Sequence, residues 1–174
     1  NQVELHAFSD AAEDSYGAVV YIVAVTESGE KETSFAVSRA RVSPLKKITV
    51  PRLELLACML AARLVSYVKN ALQISETTYY CWTDSKVALQ WIKSEPHKWK
   101  QFVSNRVQEI HNLTDPSAWK HCPGKDNPAD VLTRAIPAKK MMEKQNDLLN
   151  GPDWLKTNSQ EIEETDQEDQ TQED

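Results

Sequence analysis

The chain has 174 residues, 40% of them hydrophobic, and a formal net charge of −6 at pH 7. That length can bury one core, so one domain is the default, and no run of apolar residues approaches the roughly 20 that a membrane span needs. Three cysteines, Cys58, Cys81 and Cys122, are odd in number and lack CxxC spacing, which argues against a disulfide framework or a zinc cage and for buried thiols in a reducing, intracellular compartment.

The chain begins Asn1-Gln2-Val3-Glu4-Leu5, with neither an initiator methionine nor a signal peptide's basic and apolar regions, and is expected to be cut from a longer polypeptide. Residues 3–8 alternate with period two and predict a first strand, followed by a polar turn over residues 10–15. Residues 17–25 are almost continuously apolar, as a buried strand requires. Glu27-Ser28-Gly29-Glu30 supplies a hairpin turn, and residues 32–40 return as a third strand.

A long helix follows, with Pro51 in its first turn, where a missing N–H costs little. Leu53, Leu56, Ala57, Leu60, Ala61, Leu64, Val68 and Leu72 recur at helical spacing and predict one buried stripe. Residues 78–83 read as a fourth strand ending at Asp84, and residues 85–93 as a short helix broken at Glu95-Pro96. Another helix is expected from about residue 97 to 111, with Trp99, Phe102, Val103, Val107 and Ile110 on its apolar side. Residues 118–122 suggest a short fifth strand, Pro123-Gly124-Lys125-Asp126 a turn, and Asn127-Pro128 the opening of a last core helix.

Three consecutive strands suit an antiparallel meander, and the later alternation suits parallel strands with helical crossovers. The expected fold is therefore α/β, a mixed five-stranded sheet flanked by helices, occupying residues 1–137. Residues 138–156 are expected to form a helical appendage. Residues 157–174 hold eight acids and no lysine or arginine, a composition expected to leave them disordered. Without that tail twenty basic side chains face eighteen acidic ones, and residues 39–106 alone hold twelve Lys/Arg against Glu54, Glu76, Asp84 and Glu95. A locally basic middle attracts phosphates despite the acidic total.

Four carboxylates are the candidate chemistry. Each has a bland explanation: Asp10 in a turn, Glu54 favoured by a helix dipole, Asp84 capping the next helix, and Asp130 three residues after Asn127 as in a capping box. Jointly they say more. Asp10 and Asp84 end strands in similar contexts, Phe8-Ser9-Asp10-Ala11 and Trp82-Thr83-Asp84-Ser85, and would emerge side by side if those strands run parallel as neighbours. Helix starts carrying Glu54 and Asp130 can approach that edge. Four such carboxylates repel, so the cluster should bind a hard divalent ion, Mg²⁺ or Mn²⁺.

Ala7-Phe8-Ser9-Asp10-Ala11, Thr49-Val50-Pro51-Arg52-Leu53-Glu54-Leu55-Leu56-Ala57, Trp82-Thr83-Asp84-Ser85 and Pro123-Gly124-Lys125-Asp126-Asn127-Pro128-Ala129-Asp130 occur in order. Together they resemble the four acidic motifs of the ribonuclease H domain of LTR retrotransposon reverse transcriptases. Ser43-Pro44-Leu45-Lys46-Lys47 and Pro51-Arg52-Leu53-Glu54-Leu55 are most similar to the BEL/Pao group.

The resemblance implies a ribonuclease-H-like fold and cleavage of the RNA strand of an RNA–DNA hybrid beside a reverse-transcriptase polymerase domain, in the cytoplasm or in virus-like particles. It implies two Mg²⁺ ions, replaceable by Mn²⁺, with Asp10 bridging both, Glu54 and Asp84 on the attacking side and Asp130 closing the other. It further suggests Thr49, Arg52, Ser85 and Lys125 as nucleic-acid contacts. The loop before Asp130 lacks the histidine of many cellular relatives, which leaves Lys125 or the nearby His121 as candidates to assist the leaving group. The competing readings are a catalytically silent connection module of the same fold, which usually loses its acids, and an integrase-type core, which typically uses three.

Overall fold

The computed structural model describes residues 2–134 and 138–156, so the predicted acidic tail, residues 157–174, lies outside the described residues. Three long strands come first: β1 (Gln2–Ala12), β2 (Ser15–Val25) and β3 (Lys31–Val42). They are followed by α1 (Val50–Leu72), β4 (Thr78–Thr83), α2 (Lys86–Lys93), α3 (Gln101–Leu113), β5 (Trp119–His121), α4 (Asp130–Thr133) and α5 (Ala138–Asn150). The sheet order is β3-β2-β1-β4-β5, with β1 antiparallel to β2 and β2 to β3, and with β4 parallel to both β1 and β5. This is the mixed five-stranded sheet expected from the sequence.

Several boundaries differ. The β1–β2 ladder continues to Ala12↔Ser15, so Asp10 sits inside the strand opposite Gly17 and not in a turn. The backbone pairs for as long as partners are available, and only Glu13 and Asp14 remain to close the hairpin. In α3, Pro96 first makes a separate 3-10 turn through Lys98, and the α-helix starts four residues later than its apolar pattern suggested. The helix after Pro128 is a single turn.

Helix α1 is the centre of the first core. Leu55, Cys58, Ala62 and Val65 are buried beside the predicted stripe, because the sheet covers one side of the helix and α3 packs on another. Leu72, predicted in the stripe, is 46% exposed, since the helix ends there with Gln73 in a left-handed conformation (φ 55°). By length and composition α1 is long and apolar enough to cross a membrane, yet its apolar side is spent on this core.

The opposite sheet face carries a second core of Phe8, Val19, Tyr21, Val23, Trp82, Cys122, Ala129 and Leu155. The segment after α4 closes it. Trp154 packs its ring edge-to-face on Phe8 (5.7 Å) and Trp82 (4.8 Å), Leu155 is buried, and the Tyr21 hydroxyl donates to the Leu148 carbonyl. Gly151 turns the chain after α5 at φ +70°, and a Cβ there would lie 3.3 Å from the Tyr21 ring. Under this cover His6 is fully buried. Its Nδ1 accepts from Trp82 Nε1 (3.2 Å), so its Nε2–H donates to Glu4 (3.1 Å), and burial holds it below its ordinary range as the neutral tautomer.

All three cysteines are free and buried. Burial pushes the Cys58 and Cys122 thiols up to about 12 and Cys81 higher, which makes them packing groups and not nucleophiles.

Candidate active site and metal centre

The parallel register pairs Ala7 with Cys81 and Ser9 with Thr83, so Asp10 and Asp84 occupy the next positions on adjacent strands at one edge of the sheet. Glu54 reaches the same place from α1, where it is the fifth residue and lies just beyond the first turn expected from the sequence. Carboxylate oxygens of Asp10, Glu54 and Asp84 all lie within 4.8 Å of one another. Asp10 and Glu54 are only 3% and 8% exposed, and Asp84 is half-buried.

These groups are held by few partners. Thr133 Oγ1 donates to Asp10 Oδ2 (2.9 Å), and the Ala11 amide donates to Glu54. Glu54 Oε2 is buried with no hydrogen-bond partner among the described residues. Burial, and then the charge of Asp84, raises Asp10 to about 7, against the opposing Thr133 bond. Burial, and then the charges of Asp84 and Asp10, raises Glu54 to about 9. A nearby divalent cation reverses this logic and favours the ionised form of each. The donor set is oxygen-only and includes an orphaned buried carboxylate oxygen, so the residues present fit a hard ion such as Mg²⁺ or Mn²⁺.

Asp130 flanks this trio and is not part of it. It opens α4, forms an ion pair with Arg134 one turn on, and stays close enough for its charge to raise Asp10 further. The loop before it is strapped to the end of β1. Asn127 Nδ2 donates to the Ser9 carbonyl (2.8 Å), and its Oδ1 accepts from the Ala129 amide (3.1 Å). A Cβ on Gly124 would stand 3.4 Å from Asp84 Oδ2, which places this loop beside the trio. Lys125 is exposed on it, at the rim of a cavity of about 430 Å³ that is also lined by Asp130, Lys144 and Trp154.

The remaining candidates are spread around this edge. Thr49 is the exposed residue before α1 and makes no side-chain cap bond. The Arg52 guanidinium lies over the Phe102 ring, 4.9 Å from its centroid. Ser85 caps α2 by accepting from the Ala88 amide (3.1 Å), so its hydroxyl already has a structural task. His121 pairs with Thr83 in β5 and makes no hydrogen bond to any of the four acids. Trp99, predicted on the apolar side of the third helix, packs half-buried against the first core, its ring centroid 6.3 Å from that of Trp91.

Sequence reasoning passed over Thr133 and Asn127. Thr133 stands three residues after Asp130, one helical turn away, and that spacing was its signal. Asn127 lay in full view within the fourth motif, but its bond to Ser9 is a contact across 118 residues that no local pattern encodes.

Comparison with known proteins agrees with this geometry over part of the chain. Residues 1–85 match the family model of the Pao retrotransposon-like RNaseH-like domain, a span that contains Asp10, Glu54 and Asp84 but not Asp130. No curated protein sequence matches the chain. Among solved structures, it is similar to the N-terminal RNase H domain of a Mycobacterium tuberculosis protein, at 15% identity and a TM-score of 0.48 over 84% of this chain and 97% of that one. It is also similar to RNase H1 of Halobacterium salinarum, at 16% identity and a TM-score of 0.42 over 82% and 98%. A compost-derived RNase H1 solved in complex with an RNA/DNA hybrid gives 12% identity and a TM-score of 0.49 over 75% and 93%. The family match over residues 1–85, which holds three of the four acids, and the mixed sheet of three antiparallel and then parallel strands are consistent with a ribonuclease-H-like domain of the Pao retrotransposon type.

Proposed function

We propose that the chain is a divalent-metal-dependent endonuclease that hydrolyses the RNA strand of RNA–DNA hybrids, working beside a reverse-transcriptase polymerase domain in the cytoplasm or in virus-like particles. The observation that carries this reading is the convergence of Asp10, Glu54 and Asp84 within 4.8 Å, with Glu54 Oε2 buried and unpaired.

Asp10, Glu54 and Asp84 would hold Mg²⁺, with Asp130 completing the set for a second ion. When bound, such ions acidify an attacking water and stabilise the leaving 3′ oxygen, giving a 5′-phosphate and a 3′-hydroxyl. The chain's own residues prepare this. Thr133 fixes the rotamer of Asp10 through Oδ2. The Ala11 amide engages Glu54, while Oε2 is left uncommitted for a ligand. Asn127 ties the Asp130 loop to β1, and Lys125, exposed on that loop, would meet a phosphate or the leaving group. Selection of RNA would come from contacts to 2′-hydroxyls across a wide minor groove.

The test offers labelled RNA–DNA hybrid, double-stranded RNA and double-stranded DNA, each with Mg²⁺, Mn²⁺ or EDTA. Cleavage should be confined to the RNA of the hybrid and abolished by EDTA, and Asp10→Asn or Asp84→Asn should lower it on the order of 10³-fold. Equal cutting of all three substrates overturns the substrate assignment. Binding of hybrid without cleavage under any metal would make the chain a silent binding module.

A further inference from the structure

Helices α1 and α3 lie side by side and run in the same direction. Arg52 meets Phe102 near their N-termini, and Arg63 meets Glu109 further along both. At the N-terminal end a single aromatic ring gathers two guanidinium groups. Phe102 carries Arg52 at 4.9 Å and Arg106 at 3.7 Å from its centroid, so the two guanidinium carbons lie within about 9 Å of each other. Arg106 is fixed further by Nη1, which donates to the Phe102 carbonyl (3.0 Å).

Neither arginine forms an ion pair with a described carboxylate. The nearest acid on the same helix, Glu109, is already committed to Arg63, which donates to both of its oxygens (2.8 and 3.0 Å). Burial and the neighbouring Arg52 charge both pull Arg106 below its ordinary range, and Glu109 opposes them. Two like charges are thus held together by a ring with no anion between them. Such an arrangement costs repulsion unless a ligand offsets it. Lys98 and Lys100, exposed on the approach to α3, extend the positive surface, and the N-terminal ends of both helices add their dipoles. This end of α1 is also the one that presents Glu54, two residues beyond Arg52.

We infer that Arg52 and Arg106, stacked on Phe102, form a two-guanidinium clamp for the phosphodiester backbone of the nucleic acid bound at the carboxylate site. Planar guanidinium forks match phosphate oxygens and are always charged, and pre-stacking on an aromatic ring lowers the ordering cost of gripping a phosphate. The clamp rests on the reading of hybrid as the ligand, but not on hydrolysis.

Binding of a fluorescent RNA–DNA hybrid to the full chain, measured in EDTA so that nothing is cut, tests it across a salt series. Each phosphate contact contributes about 0.9 to the slope of log K against log salt. Arg52→Gln and Arg106→Gln should each weaken binding roughly three- to tenfold at low salt and flatten the slope by about that increment, and the double variant by about twice as much. Arg106→Lys should keep the slope while losing affinity, because it retains charge but not the fork; this variant decides the matter if Arg106→Gln fails to fold. Unchanged slopes in Arg52→Gln and in the double variant, or no hybrid binding by the unsubstituted chain, would overturn the clamp. The two proposals separate cleanly. Binding with the expected slopes but no cleavage removes the nuclease and leaves the clamp, whereas hybrid cleavage with unaltered slopes removes the clamp and leaves the nuclease.

Discussion

Asp10 and Glu54 carry pKa values raised to about 7 and about 9, because burial and mutual repulsion both penalise their ionised forms. In an unfolded chain they would titrate near 4. The folded state therefore holds protons that the unfolded state releases as pH rises. Their contribution favours folding below about pH 4 and is lost progressively as pH climbs through 7 towards 9. In EDTA the melting temperature should fall between pH 6 and pH 9, and the stabilisation given by Mg²⁺ should be larger at pH 8.5 than at pH 6. Asp10→Asn removes one of the repelling charges and should stabilise the metal-free chain at pH 8.5 by roughly 1–3 kcal/mol while abolishing the Mg²⁺ response. Thermal melts with and without Mg²⁺ at the two pH values check both outcomes; a metal-free melting point that rises with pH would show that the carboxylates are not held as described. Thr133→Val tests the same site more gently. It deletes the hydroxyl that orients Asp10 while keeping the methyl bulk, and should lower cleavage about tenfold with little change in fold stability.

At the scale of elements, α1 and the segment from α5 to Lys156 do opposite jobs. Helix α1 brings Glu54 to the sheet edge and anchors it with a side buried from Leu53 to Val68. The later segment covers the other sheet face, where Trp154 and Leu155 meet Phe8, Trp82 and the second core. Residues 138–156 read from the sequence as an appendage, with Met141, Met142, Leu148, Leu149 and Trp154 as the residues to dock it; the packing of Leu148, Trp154 and Leu155 depends on a surface built by β1, β2 and β4. Leu155→Ala and Trp154→Ala should each destabilise the chain by about 2–5 kcal/mol, measured by urea unfolding. Gly151→Ala should also be costly, since φ +70° and the Tyr21 ring both exclude a side chain. A free energy of unfolding unchanged by Leu155→Ala would mean that this segment does not contribute to the core.

For the whole molecule, charge is the property most easily misread. The net value of −6 hides a body with twenty basic and eighteen acidic side chains, because eight acids lie in residues 157–174. Deleting those residues should tighten hybrid binding at low salt, an advantage that fades as screening shortens the reach of the lost charges. Equal affinity with and without them at low ionic strength would show that the acidic stretch does not compete with substrate for the basic surface.

Strand and helix order, the four acids and the family resemblance were all legible along the chain, because hydrophobic period and short motifs are local properties. What local pattern could not supply was distance. The parallel register that sets Asp10 beside Asp84 joins residues far apart in sequence, and so does the bond from Asn127 to Ser9. Asp130 shows the limit of motif reading: its motif is intact, yet Arg134 and the short α4 leave it beside the carboxylate trio. The pairing of Arg52 with Arg106 was hidden for the same reason: the resemblance suggested Arg52 alone as a nucleic-acid contact, and no local pattern links it to Arg106. The sequence by itself determined which elements form and which chemistry is available, through side-chain periodicity and residue type. Only the tertiary structure decided which charges share a dry site and which ones share a ring, because burial and mutual distance, which set their pKa values and ligands, exist only once the chain has packed.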